Sequence, residues 1–320
     1  MSLKLDLYDR KLLFELDKDS SLSISKLSSK LRKSKQFFLY RIRKLEEEGV
    51  ITGYHAIIDM SKLGFFTFRI YFKFQNYTEE EGKIFVEYVK NNLSQVWTIT
   101  TMHGKWDYAL FFGVKTIMEF HSIWDKIMLE YKNKIKNYNV SIYAPIYNFN
   151  RKFFLDERRE SIERVYGIGG KEEIKNIDLK LLEYYANNIR KSSLEISKVL
   201  RISPDTARNR IKYLEKKKII VGYKLGLNLE KLGYTSYRVD LQLISTEKNK
   251  ELSSYCREHR NIYQINKTIG GADFEIEVIV KDLNNLIEII NDLKNKFKEV
   301  INDVEYFGFT TFHILKYIPD

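Results

Sequence analysis

Between positions 203 and 223 the chain reads SPDTARNRIKYLEKKKIIVGY. Coiled as a helix, this stretch places Ala207, Ile211 and Leu214 at i, i+4 and i+7 as one apolar stripe. Thr206, Arg208, Asn209 and Lys212 fall outside the stripe and supply hydrogen-bond donors. An arginine fork fits the edge of guanine and an asparagine amide the edge of adenine, so the donor side suits a DNA major groove. Lysines and arginines around the helix, Arg210 among them, would neutralise phosphates and supply affinity. Ser203 is placed to cap the helix, and Pro204 stands at the first helical position, where a missing N–H costs nothing. Asp205 could accept from cytosine, but it suits the positive helix N-terminus better.

The same layout occurs 169 positions earlier. Ser34 would cap a helix whose stripe is Phe38, Ile42 and Leu45. Its outward side offers Lys35, Gln36, Tyr40, Arg41, Arg43 and Lys44. Phe37, Leu39 and Tyr40 are unusual on a solvated face; contact with thymine methyl groups and packing against protein both stay open for them.

Charge follows these two stretches. The 320-residue chain has a net charge of +11 and a pI near 9.3, which favours a polyanionic partner. Residues 1–54 hold 12 Lys/Arg and 8 Asp/Glu; residues 175–223 hold 12 and 5. The rest of the chain is neutral, whereas a merely solvated surface would spread the excess evenly.

The elements that must position these helices repeat as well. Residues 9–64 laid on 178–233 without a gap give 19 identities in 56, among them Asp9/Asp178, Ser34/Ser203, Arg41/Arg210 and Tyr54/Tyr223. Further on the register shifts by three, and Gly104 and Asp107 fall on Gly270 and Asp273. Three short helices followed by a strand that would form a small wing describe a winged helix-turn-helix. Residues 66–150 then alternate as β-α-β-β-α-β, the ferredoxin-like order, and residues 236–309 do so again, with a last strand over 311–317. The fold class is α+β: two winged helix-turn-helix domains (1–60 and 175–229) and two ferredoxin-like βαββαβ domains (61–150 and 230–320) in tandem. A linker over 151–174 joins the halves, with its charged 151–165 stretch a candidate bridging helix.

The order of elements and the residues Asp9-Arg-Lys-Leu-Leu13, Ser34, Arg41-Ile42, Leu45-Glu46, Gly49-Val50-Ile51, Gly53-Tyr54 and Leu63-Gly64 resemble the Lrp/AsnC family of transcriptional regulators. The second copy matches at Asp178, Arg190, Ser203, Arg210-Ile211, Leu214-Glu215, Gly222-Tyr223 and Leu232-Gly233, so the resemblance covers nearly the whole chain, twice. It implies a regulator that binds double-stranded DNA and ferredoxin-like regulatory domains of the regulatory-of-amino-acid-metabolism type. It also implies an amino-acid-like effector held near Gly104, Asp107, Gly270 and Asp273. Family members usually dimerise through these domains, then assemble further. Here a covalent tandem is expected to act as a pseudo-dimer; the alternative is two chains pairing copy with copy. Because the copies differ at most exposed helix positions, an asymmetric operator is expected, its half-sites about one turn of DNA or a multiple of it apart. Two departures stand out: Lys218 occupies the place of Gly49, and Ser21 that of Arg190.

Other chemistries find little support. The five histidines, His55, His103, His121, His259 and His313, make no i, i+4 pair and no zinc motif, so neither metal nor catalytic residues are expected. Residues 167–172, GIGGKE, lack the full spacing of a phosphate-binding loop, and no cofactor is expected. Decarboxylases of sirohaem share the architecture and carry a His-Asn-Tyr-x-Arg-like run on a regulatory-domain strand; of it this chain keeps only His103. Trp97, Trp106, Trp124 and Cys256 are expected in cores or interfaces. With one cysteine, no apolar run of bilayer length and no signal-peptide shape at its N-terminus, the chain is expected in the cytoplasm, away from membranes.

Overall fold

In the computed structural model, which describes residues 4–155, 161–316 and 318, the strand edges of one half are closed by those of the other. Each half begins with three helices: α1 (Leu7–Lys18), α2 (Ile24–Leu31) and α3 (Lys35–Glu47), and again α6 (Asn176–Tyr185), α7 (Ser193–Leu200) and α8 (Pro204–Lys216). Strand β1 (Ile51–Ile58) follows the first set and β7 (Ile220–Leu227) the second. The expected wing is not a local hairpin: β1 pairs antiparallel with β7, Tyr54 opposite Leu225 and Ala56 opposite Tyr223. A lone strand leaves its N–H and C=O groups unmet, and the copy supplies the partner. Both helical sets share one apolar core, in which Leu12, Leu16, Phe38 and Leu45 meet Leu181, Leu182, Ala207 and Leu214.

The remaining strands close into a ring. The first half contributes β2 (Phe66–Phe74), β3 (Val96–His103), β4 (Tyr108–Val114) and β5 (Ile135–Phe149), with helices α4 (Glu79–Asn92) and α5 (Ile117–Tyr131). Strands β8 (Thr235–Leu243), β9 (Ile262–Ile269), β10 (Phe274–Val280) and β11 (Ile301–Leu315), with α9 (Asn249–Glu258) and α10 (Leu283–Lys296), repeat the pattern. Within each half the spatial order is 4-1-3-2, as a βαββαβ unit requires. The halves join at two seams, β3 with β11 and β5 with β9, both antiparallel, giving eight strands in a closed circuit. Alternation then divides the side chains. Phe68, Ile70 and Phe72 face α4 and α5, while Arg69 and Tyr71, one residue out of phase, face the interior.

Two expectations are corrected here. No helix occupies the described part of 151–165, and residues 156–160 lie outside the described residues. Lys152–Phe154 form a single 3-10 turn, and β6 (Glu163–Tyr166) adds to the outer end of β5. Phe153 and Phe154 anchor this stretch in the shared core, where Phe153 lies against Tyr234. Second, the expected separate last strand is the continuation of β11 to Leu315; Tyr317 lies outside the described residues.

The interior holds charge. Arg69 donates twice to Glu275, at 2.7 and 2.8 Å, and Arg238 donates to Glu275 and, at 2.8 Å, to Glu277. Burial pushes the Glu275 carboxyl up, but Arg238 and Arg69 overcome it and hold it at about 2. Asp240 goes the other way: burial first, then Glu275, push it up to about 7 despite both arginines.

Two outcomes follow from this framework. Lys218 holds φ +56°, a left-handed conformation that costs a side-chain-bearing residue about 1 kcal/mol, and Gly49 holds the matching +66° in the first copy. Lys218→Gly is expected to stabilise and Gly49→Ala to destabilise, each by about 1 kcal/mol in urea unfolding. An acid raised on folding stabilises below its unfolded value near 4 and loses that contribution as pH rises through its folded value. For Asp240 that window is pH 4 to 7, and Asp240→Asn should flatten the fall of the urea midpoint across it. Glu275, held at about 2, does not titrate in that window.

Candidate nucleic-acid interface

Helix α8 is built at its start as the sequence implies. Ser203 Oγ accepts from the Thr206 N–H at 3.0 Å, and Pro204 opens the helix. Ala207 and Leu214 are fully buried, and Thr206, Arg208, Asn209 and Lys212 are exposed. Arg208 is not loose: it pairs with Asp205 and donates to Ser193 Oγ of α7 at 3.0 Å, which orients its guanidinium across the α7–α8 corner. In α3, Ser34 Oγ accepts from the Phe37 N–H at 3.1 Å. Phe38, Ile42 and Leu45 are buried; Lys35, Gln36, Leu39, Tyr40, Arg43 and Lys44 are exposed, Tyr40 by 69%. Phe37 packs inward, edge-on to Tyr8 and Phe38, whereas Leu39 and Tyr40 stay in the open.

Arg41 and Arg210, expected among the DNA contacts, are each paired with carboxylates of their own half. Arg41 meets Asp9 and Asp6, both at 2.7 Å, and its guanidinium lies over the Phe37 ring. Arg210 Nε reaches Asp178 at 2.6 Å, and that carboxylate is fully buried. The physical reason is that Asp9 and Asp178 sit on α1 and α6 beneath the third helices, and the fully buried Asp178 carboxylate requires a cation beside it. A second strut recurs: Tyr54 Oη donates to Glu46 at 2.7 Å, and Tyr223 Oη to Glu215. These residues, identical between copies, hold the third helix to its neighbours.

The copies also hold each other. Lys62 Nζ donates at 2.9 Å to the carbonyl of Lys217, the C-terminal cap of α8. In exchange Lys231 Nζ donates at 2.6 Å to the carbonyl of Glu48, the cap of α3. A cation at the negative end of a helix is favourable, so each third helix is steadied by the opposite half. Arg190 reaches the Leu22 carbonyl at 3.3 Å and covers the Tyr54 ring, a contact that Ser21 could not return.

Of the four loop residues expected at an effector, the two glycines lie at the seams and the two aspartates pair within their own halves. Gly104, at φ +103°, lies against Phe307 of β11, and Gly270 lies against the Val140 carbonyl of β5. Asp107 pairs with Lys73 and accepts from the Phe74 N–H; Asp273 accepts from the Leu243 N–H. His103 packs edge-on to Tyr237 beside Gly308. Among the described residues there is no grouping of three or more His, Cys, Asp and Glu fit for a metal, and no helix long and apolar enough to cross a membrane. The pairing of Arg69 and Arg238 on Glu275 was missed by the sequence reading. Its signal was there: a charged residue inside each of FTFRIYF, SYRVDL and FEIEVIV, on the face opposite the apolar one.

Two capped, basic third helices on paired helix-turn-helix units define a winged helix-turn-helix protein built on ferredoxin-like sheets. The winged helix-turn-helix DNA-binding family matches residues 5–52. The transcriptional regulator Ptr1 of Methanocaldococcus jannaschii is 36% identical over 110 residues, 34% of this chain and 74% of that protein. LrpA of Pyrococcus abyssi is 29% identical over 123 residues, 38% and 87% of the two chains. The chain belongs to the Lrp/AsnC family of transcriptional regulators, as a tandem duplication of its unit. In fold alone it is also similar to the siroheme decarboxylase NirDL, at a TM-score of 0.64 and 13% identity over 98% of this chain and 94% of that one.

Replacing Lys62 or Lys231 by Met should each cost about 0.5–1 kcal/mol in urea unfolding. The double variant should lose close to the sum, because the two caps sit on different helices.

Proposed function

We propose that this chain is a sequence-specific regulator of transcription in which the two copies act as a covalent pseudo-dimer on double-stranded DNA. The observation that carries the reading is the difference between the two exposed third-helix faces. One presents Lys35, Gln36, Leu39, Tyr40, Arg43 and Lys44; the other presents Thr206, Arg208, Asn209 and Lys212. Identical residues, Asp9/Asp178, Arg41/Arg210, Glu46/Glu215 and Tyr54/Tyr223, brace both helices from within, while their exposed faces differ. A homodimer of one unit matches a palindrome, whereas two unlike readers on one chain match an asymmetric operator. The strand pairing of β1 with β7 and the exchanged caps of Lys62 and Lys231 support this arrangement.

On such an operator the lysines and arginines contact phosphates and release counterions, which sets affinity and its salt dependence. Asn209 reads an adenine, and Arg208 exchanges Asp205 for a guanine edge. Leu39 and Tyr40 meet thymine methyl groups. The bound state is modulated by a small-molecule effector.

Footprinting on the chain's own promoter and neighbouring genes is expected to give one asymmetric protected site. Two identical inverted half-sites would overturn the pseudo-dimer reading. In gel shifts, Asn209→Ala should cost about 1–3 kcal/mol on that site and relax preference at one position. Lys44→Ala should weaken all sequences alike and lower the slope of log affinity against log salt by about 1.

A further inference from the structure

Between the β1–β7 ribbon and one mouth of the eight-stranded ring lies a cavity of about 770 Å³. Its walls come from both: Ile58 and Lys224 from the ribbon, Trp97, Phe111, Tyr143 and Gln264 from the ring. We infer that this cavity binds a small organic anion with an aromatic body of two or more rings. The site is separate from the Gly104 and Gly270 loops, none of whose four expected residues lines it.

The body of the ligand follows from the walls and rim. Phe66, Ile168, Ile269 and Leu315 are half or more exposed, and all four stand around this opening. Water-facing apolar side chains gathered at one mouth mark a binding site more than an ordinary surface does. Trp97 packs against Gly113, where a Cβ would come within 1.8 Å of its ring. Its indole N–H is buried and finds no acceptor among the described residues.

The charge follows from the remaining lining. Three lysines, Lys171, Lys224 and Lys316, face one carboxylate, Glu277. Glu277 is already held by Arg238, Tyr263, Gln264 and Asn266. Counted by residue, three lysines against one carboxylate make the lining net positive, and Lys224 and Lys316 keep partners of their own within the chain. Burial, then Arg151 and Arg164, pull Lys224 down to about 8, which leaves it charged at neutral pH.

One site per chain is expected. With the three-residue shift of register, Trp97 and Phe111 correspond to Tyr263 and Glu277 in the second copy. Glu277 itself lines this cavity together with Phe111, so the two copies contribute to one site rather than forming two. Because the walls join the ribbon beneath the helical units to the ring, an occupant touches both. Its effect on DNA rests on the regulator reading; the binding itself does not.

The test uses the full chain and 8-anilino-1-naphthalenesulfonate, a monoanion with separate aromatic groups, alongside its uncharged analogue N-phenyl-1-naphthylamine. Titration should saturate at one dye per chain, with energy transfer from tryptophan that falls in Trp97→Phe. Lys224→Met should weaken the anion roughly tenfold while leaving the uncharged analogue within about twofold, as loss of a charge-assisted contact requires. Phe111→Glu, which copies the second half, should weaken both dyes. Ile269→Ser, at the exposed rim, should weaken both without touching the core, and so keeps the test open if Phe111→Glu misfolds. Non-saturating emission, or equal anion binding in Lys224→Met and Ile269→Ser, would overturn the site. A gel shift of the dye-free wild type on its footprinted DNA tests the regulator reading separately, since dye binding with no shift would sink that reading alone.

Discussion

Unpaired strand edges are what the architecture has to resolve. A four-stranded βαββαβ sheet has two of them, each a row of N–H and C=O groups that must find water or another strand. Here each half gives both edges to the other, at β3 with β11 and at β5 with β9. The short strands β1 and β7 do the same above the ring. The halves therefore share backbone hydrogen bonds at three places, and separating them would expose all three at once.

Inside the ring the two halves are not equivalent. Arg69 and Arg238 occupy matching positions, yet both turn to Glu275, and its counterpart in the first half is Ala109. Burying two guanidinium groups is costly, and two carboxylates of the second half, Glu275 and Glu277, offset them. Two first halves paired together would bury arginines with no acid between them. Charge thus favours pairing unlike halves, which is specificity by an unfavourable alternative rather than by added affinity.

The same division of labour runs through the helical units. Asp9, Arg41, Glu46 and Tyr54 recur as Asp178, Arg210, Glu215 and Tyr223 because each set braces a third helix from within. Most exposed positions of the two third helices differ between the copies. Exchange of Lys62 and Lys231 then makes the orientation of each third helix depend on the opposite half.

Local chemistry in the chain was enough for several features. The Ser34 and Ser203 caps, the apolar stripes of α3 and α8, the 169-residue repeat and the βαββαβ order are short-range patterns, set by periodicities of 3.6 and 2 and by capping geometry. What stayed hidden depends on partners far away in sequence. Nothing near Arg41 or Arg210 says that an aspartate 32 positions back claims it before a phosphate can. Nothing near Ile51 says that it pairs with Leu227, 176 positions on, rather than in a local wing. The inward turn of Arg69 and the cavity under the ribbon likewise exist only once the ring closes, because a strand's alternation defines two faces but not which of them becomes the inside.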